Sequence, residues 1–155
     1  IFGRLANQEG RVLLKLPAGM DRDSYLAFKT FFRYEGEQQV GNCAACHTPS
    51  EFADSKTHVV TRSGKAVPPP SLRNLDLSSG ELEKVILAKI AASRLKRAGK
   101  ADEIDDAYSA IRLSKEDVPG LVAYLGLLKD VPDANFRDLI LEATVLDTTG
   151  DLEDQ

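Results

Sequence analysis

Cys43-Ala44-Ala45-Cys46-His47 decides how the rest of the chain is read. Two thiols three residues apart, followed at once by an imidazole, form the attachment signature of a covalent haem c. The spacing has a chemical reason. On one turn of chain, Cys43 and Cys46 project to the same side, so each sulfur can form a thioether with one vinyl group of the macrocycle. His47 then faces the ring plane, where its imidazole nitrogen binds the iron. These are the only two cysteines among 155 residues, and this reading uses both. A Cys-x-x-Cys pair also occurs in redox dithiols and in half of a zinc site. Zinc needs two more soft ligands, and the chain has no second cysteine pair. A thioredoxin-like dithiol needs a βαβ context, which the pattern lacks.

The length suits one domain with a real core. Net charge is −4, so no basic excess is available to neutralise phosphates, and nucleic acid is excluded as a partner. No apolar run reaches the length of a membrane span. Ile1 in first position, without a charged-then-apolar leader, points to a processed mature chain or an excised domain. Covalent haem attachment takes place on the outer side of the bacterial inner membrane. The motif therefore implies a periplasmic or otherwise exported protein, where two unpaired cysteines need an explanation.

Outward from the motif, the pattern is helical. Before it, residues 21–35 predict a helix with an acidic first turn and an aromatic face of Tyr25, Phe28 and Phe32, ended by Gly36. Further upstream, Val12, Leu14 and Leu16 alternate as a short extended segment. After His47 comes a long irregular connection carrying Pro49, Ser63, Gly64 and Pro68-Pro69-Pro70. Such a loop is tolerable in a compact domain if it packs on a flat macrocycle. Ser78-x-x-Glu81 is a capping box that opens a helix lined by Leu82, Val85, Ile86 and Ile90, with Gly99 at its end. Asp102–Ala110 predicts a shorter helix. Ser114, with Asp117 three residues on, opens another, whose stripe is Val118, Leu121, Val122, Leu125 and Leu128, with Gly126 placed for close helix approach. Asp133–Ala143 predicts a last helix, and Asp147 to Gln155 an acidic frayed end. The fold class is all-α with long loops around one haem. The domain layout is an extension over residues 1–20, a haem domain over 21–145 and a flexible tail over 146–155.

His47 is the expected proximal iron ligand. Its other ring nitrogen needs an acceptor, and the backbone near Pro68–Pro70 is the candidate. Arg73 has the planar fork that suits a haem propionate; it reads equally as a surface arginine. The sixth iron position has three readings: His58, Met20, or an open or water-bound iron. From His47 to His58 an extended chain spans about 35 Å, so reach does not limit the choice. A His/His pair would hold the potential low, and a His/Met pair would raise it. His58 also reads as a hydrogen-bonded loop residue, and Met20 as a filler of the apolar core.

A helix, then Cys-x-x-Cys-His, then loops, then a closing helix resembles the order of elements in cytochrome c domains. That resemblance implies that the first and last helices cross, bringing Phe28 and Phe32 against Leu121, Val122 and Leu125. A finer likeness runs from about Phe31 to Asp133. The segments Cys43–Pro49, then Phe52, Asp54 and His58, then Pro70-Ser71-Leu72-Arg73-Asn74, then Leu82–Val85, then Leu113–Asp117 resemble the C-terminal haem domain of bacterial di-haem cytochrome c peroxidases. In that family a similarly placed histidine is usually not an iron ligand, which bears on His58. The chain departs from the family in having one haem motif, and in a short Leu75–Gly80 segment without Met, His or Tyr where an iron ligand would be carried.

Three functions follow as expectations. The first is a single-haem electron carrier working with a redox partner protein. The second is an open-site haem enzyme or sensor acting on peroxide or a small gas, with His58 or Glu51 as its polar group. The third is a binding domain in which haem mainly holds the fold.

Overall fold

The computed structural model of the chain describes residues 3–6, 12–15, 22–48, 51–73 and 75–130. Met20, Pro49, Asn74, the expected helix over 133–143 and the acidic end from Asp147 lie outside the described residues. The alternation at Val12 and Leu14 becomes a strand. β1 (Gly3–Ala6) and β2 (Val12–Lys15) pair antiparallel, with Arg4 opposite Leu14.

The domain is mostly helical, with three α-helices and few strand residues among the described residues. α1 (Arg22–Phe32) and α3 (Val118–Asp130) pack together. Their shared surface is aromatic. The Phe28 ring meets Tyr124 edge-on at 5.5 Å between centroids, and Phe31 meets Tyr124 and Phe52 at the same separation. Such tilted pairs satisfy the ring quadrupoles as well as removing apolar area from water. Leu121 and Leu128 of α3 complete the core on this side. The expected stripe of α3 thus holds for Val118, Leu121 and Leu128, and Tyr124 belongs to it; Val122 and Leu125 are only partly buried.

α2 (Ser79–Arg97) begins where its capping box predicts. Ser78 Oγ accepts from the Glu81 backbone N–H at 3.2 Å, and Glu81 Oε2 accepts from the Ser78 N–H at 3.0 Å. Its end is a Schellman turn: Gly99 N–H donates to the Lys96 carbonyl and Lys100 N–H to the Leu95 carbonyl, with Gly99 at φ 73°. Leu82, Ile86 and Ile90 are buried, but Val85 is 44% exposed and sits at the mouth of a cleft.

Elsewhere the structure departs from the expectations. α1 stops at Phe32 because the following segment turns away to form an isolated bridge, Val40 with Arg112. The long connection after His47 contains a two-residue ladder, β3 (His58–Val59) with β4 (Ala66–Val67), too short to leave a periodic signal. Asp102–Ala110 yields only a 3-10 turn over Asp106–Ala110; Asp105 caps it by accepting from Ala107 N–H at 2.9 Å. The glycine at the helix crossing is Gly120, not Gly126. A Cβ on Gly120 would stand 3.3 Å from Ala27 Cβ of α1, whereas one on Gly126 would meet nothing within 4 Å.

This difference sets a prediction. Gly120→Val forces α1 and α3 apart and should cost about 1–3 kcal/mol in urea denaturation. Gly126→Ala adds no contact and removes backbone freedom, so it should be neutral or stabilising by up to about 1 kcal/mol.

Candidate functional site

The Cys43–His47 turn is fastened on both sides. Gly41 N–H donates to the Thr30 carbonyl of α1 at 2.9 Å, and Asn42 N–H to the Arg33 carbonyl at 2.9 Å. From the other side, Asn42 Nδ2 donates to the Ala107 carbonyl at 2.8 Å. Asn42 has φ 50°, a left-handed value that asparagine tolerates better than most residues, and a 3-10 turn over Cys43–Ala45 follows. His47 N–H closes the turn on the Cys43 carbonyl at 2.9 Å. Both cysteines are free thiols. Burial pushes the Cys43 thiol up to about 12, and burial followed by the carboxylates of Asp105 and Asp54 raises Cys46. Both sulfurs therefore rest as neutral thiols.

His47 Nδ1 lies 2.8 Å from the Phe52 carbonyl. A carbonyl only accepts, so Nδ1 carries the proton and Nε2 of the neutral ring keeps its lone pair. Burial lowers the pKa of His47, against the raising effect of the Phe52 carbonyl, and favours that neutral form. The Pro70 carbonyl also acts on the ring as a hydrogen-bond acceptor, as expected of the Pro68–Pro70 backbone, and the hydrogen bond to Phe52 is one the sequence did not announce. Its cause is local. Phe52 has φ 59°, costly for a bulky side chain, and this turns its carbonyl toward His47 while its ring stays 1% exposed against Phe31 and Phe32.

Both cysteines and His47 open on one cleft of about 300 Å³. Its walls are apolar. Val60, Val67 and Pro68–Pro70 come from the β3–β4 region, Leu72, Leu75 and Leu77 from the segment after it, Leu82, Val85 and Ile86 from α2, and Leu121 and Leu125 from α3. Lys89 of α2 and Tyr108 of the 3-10 turn are polar members of the wall, with Lys89 Nζ 5.6 Å from the Tyr108 ring centroid. The residues fit a covalent haem: two reduced thiols at the attachment spacing, an imidazole oriented by the Phe52 carbonyl at its Nδ1, and apolar faces for a flat macrocycle.

The other expected site residues are placed as follows. His58 lines the cleft, but both ring nitrogens face carboxylates: Nδ1 is 2.8 Å from Asp105 Oδ2 and Nε2 is 2.7 Å from Asp54 Oδ2. An iron bond would require His58 to give up one of them. Cys46, Asp54 and His58 also bring one potential ligand atom each within 4.8 Å of one another. Arg73 is not brought into the cleft wall; its Nη1 lies 4.0 Å from Glu51 Oε1. Phe52, Lys89 and Asp105 had no site role in the sequence reading. Asp54 is visible in sequence as the i−4 neighbour of His58, but Asp105 stands 47 positions away.

The Asp54–His58–Asp105 cluster predicts a stability maximum in mildly acid solution. Asp105 and then Asp54 raise the pKa of His58. Its stabilisation is full below the usual value of 6.5 and is lost as pH rises through the raised value. Asp105 is held low by the Ala107 N–H and His58; for Asp54 burial is the largest single effect and raises it, but the Lys56 N–H and His58 together outweigh it and hold it low. Their stabilisation is full above 3.8 and is lost as pH falls through the lowered values. Melting temperature should therefore peak between about pH 4 and 6.5, and His58→Ala should flatten the decline above that window.

Among the described residues, no helix is long and apolar enough to cross a membrane. No curated protein and no solved structure matches the chain significantly. The pattern of the cytochrome c family matches residues 34–129, from just after α1 to the last turn of α3, with the Cys43–His47 turn inside it. That match spans more than half of the 155 residues, and the chain belongs to the cytochrome c family.

Proposed function

We propose that the protein is a single-haem c-type cytochrome that transfers electrons, with Cys43 and Cys46 attaching haem c and His47 binding its iron. The observation that carries this is the state of His47. Its Nδ1 donates to the Phe52 carbonyl, burial favours its neutral form, and the ring lines the cleft that both sulfurs share, so Nε2 is the nitrogen whose lone pair would meet iron. When bound, haem c supplies a one-electron iron couple. The chain's part is to hold the macrocycle at its edge and keep water off its faces with leucine, valine and proline. It also fixes the imidazole so that little moves when the charge changes. A docked redox partner protein and an exported, periplasmic location belong to the same proposal. So does a haem domain over residues 21–145, flanked by an extension and an acidic tail.

The finer likeness to the C-terminal domain of di-haem peroxidases rests on the quoted segments alone. One Cys-x-x-Cys-His motif provides for one covalent haem, so the paired-centre chemistry is not carried over. A peroxide-handling reading needs a mobile acid–base group at the iron. His58 is tied to two carboxylates and Glu51 is exposed beside Arg73, which favours the carrier.

The test is expression with a functioning cytochrome c maturation system, followed by intact-mass measurement. One added haem is expected, with retention of covalent haem in neither Cys43→Ser/Cys46→Ser nor the bare-mass fraction. A bare polypeptide mass throughout would overturn the reading. Ferric and ferrous absorption spectra then separate a carrier, low-spin and indifferent to CO, from an enzyme or sensor, high-spin and quick to bind it.

A further inference from the structure

Lys89 is anomalous in its place. It continues the α2 stripe of Leu82, Val85 and Ile86 that lines the cleft, at the helical spacing that puts all four on one face. Lysines on such stripes normally carry their ammonium out to water. Lys89 instead is half-buried and holds its Nζ over the ring of Tyr108, itself part of the wall. Among the described residues no carboxylate pairs with it.

The cleft wall offers few alternatives as a second iron ligand. Both nitrogens of His58 are engaged. Burial raises the pKa of Tyr108, which disfavours the phenolate that iron would want. The Asn42 amide is spent on the Ala107 carbonyl. No methionine is in the wall among the described residues. Lys89 remains, and it lies within electrostatic reach of Cys43, Cys46 and His47. A role as counter-ion to the propionates fits less well. A haem tethered through its vinyl groups turns its propionates to the opposite edge, away from the sulfurs that Lys89 feels.

We propose that Lys89 is the second protein ligand of the haem iron, binding through its amine nitrogen from the α2 side of the cleft. The inference rests on the haem reading above. On binding, the ammonium gives a proton to solvent and the nitrogen lone pair forms the bond to iron; the oxidation state of the metal does not change. The surroundings assist the proton's departure. Burial pushes the Lys89 ammonium below its ordinary range.

The experiment uses holoprotein whose mass shows one attached haem, studied by electron paramagnetic resonance and near-infrared magnetic circular dichroism. Wild-type ferric protein should be low-spin with the signature of one imidazole and one amine. Lys89→Ala should become high-spin and bind CO when reduced, and added methylamine should restore the low-spin signal. Lys89→Arg keeps the charge and the stem but not the ligand, so it should behave like the alanine variant. The proposal is overturned if wild type is high-spin, if its signature is of two imidazoles or of imidazole and thioether, or if either variant keeps the wild-type spectrum. If Lys89→Ala fails to fold, the wild-type signature and the arginine variant decide. A bare polypeptide mass would instead remove the haem reading, and this inference with it.

Discussion

Everything at the cleft depends on how closely the backbone at Gly41 approaches the end of α1. A Cβ there would stand 2.8 Å from the Thr30 carbonyl oxygen and 3.0 Å from the Cys43 sulfur, so any side chain would have to move backbone. The approach serves two ends. Thr30 is in the last turn of α1, where a helix leaves carbonyls without partners, and the Gly41 N–H supplies one. The same hydrogen bond sets the starting point of the Cys43–His47 turn. Helix termination and placement of the site are thus one event, and the Val40–Arg112 bridge beside it ties that event to the chain entering α3.

Around this anchor the molecule divides into regions of different chemistry. The contact of α1 with α3 is aromatic and buried. Phe31 and Phe52 reach from it to the site, one lining the cleft and the other presenting its carbonyl to His47. The cleft wall is built mostly from loops, whose apolar residues line the cleft. A small second cluster of Ala101, Ile104, Tyr108 and Ile111 supports the far side, where Arg97 Nη1 donates to the Ile111 carbonyl.

Much of this was legible in the chain because it is local. The attachment motif is five consecutive residues, and the Ser78–Glu81 and Ser114–Asp117 pairs announce helix starts at a spacing of three. The aromatic face of α1 follows from helical period alone. What could not be read is what depends on partners distant in sequence. Gly120 and Gly126 sit in one helix and differ only in whether Ala27 lies opposite. Phe52 has a β-favouring side chain, so nothing in its identity announces a left-handed backbone. His58 reads as a candidate ligand until Asp105, far along the chain, is found against its ring. Lys89 reads as a solvated residue by its charge, although its spacing along α2 places it on the face of Leu82, Val85 and Ile86.

The Asp54–His58–Asp105 cluster has a thermodynamic consequence for any redox centre held in the cleft. Two carboxylates around one imidazolium leave a net negative charge at the rim, with Asp54 and His58 close to Cys46. Negative charge at short range favours whichever oxidation state is more positive, so it lowers the electron affinity of the centre. Loss of the imidazolium proton would double that charge and lower the affinity further. Electron uptake and proton retention at this rim are therefore coupled, and the driving force for reduction falls as the solution becomes more alkaline.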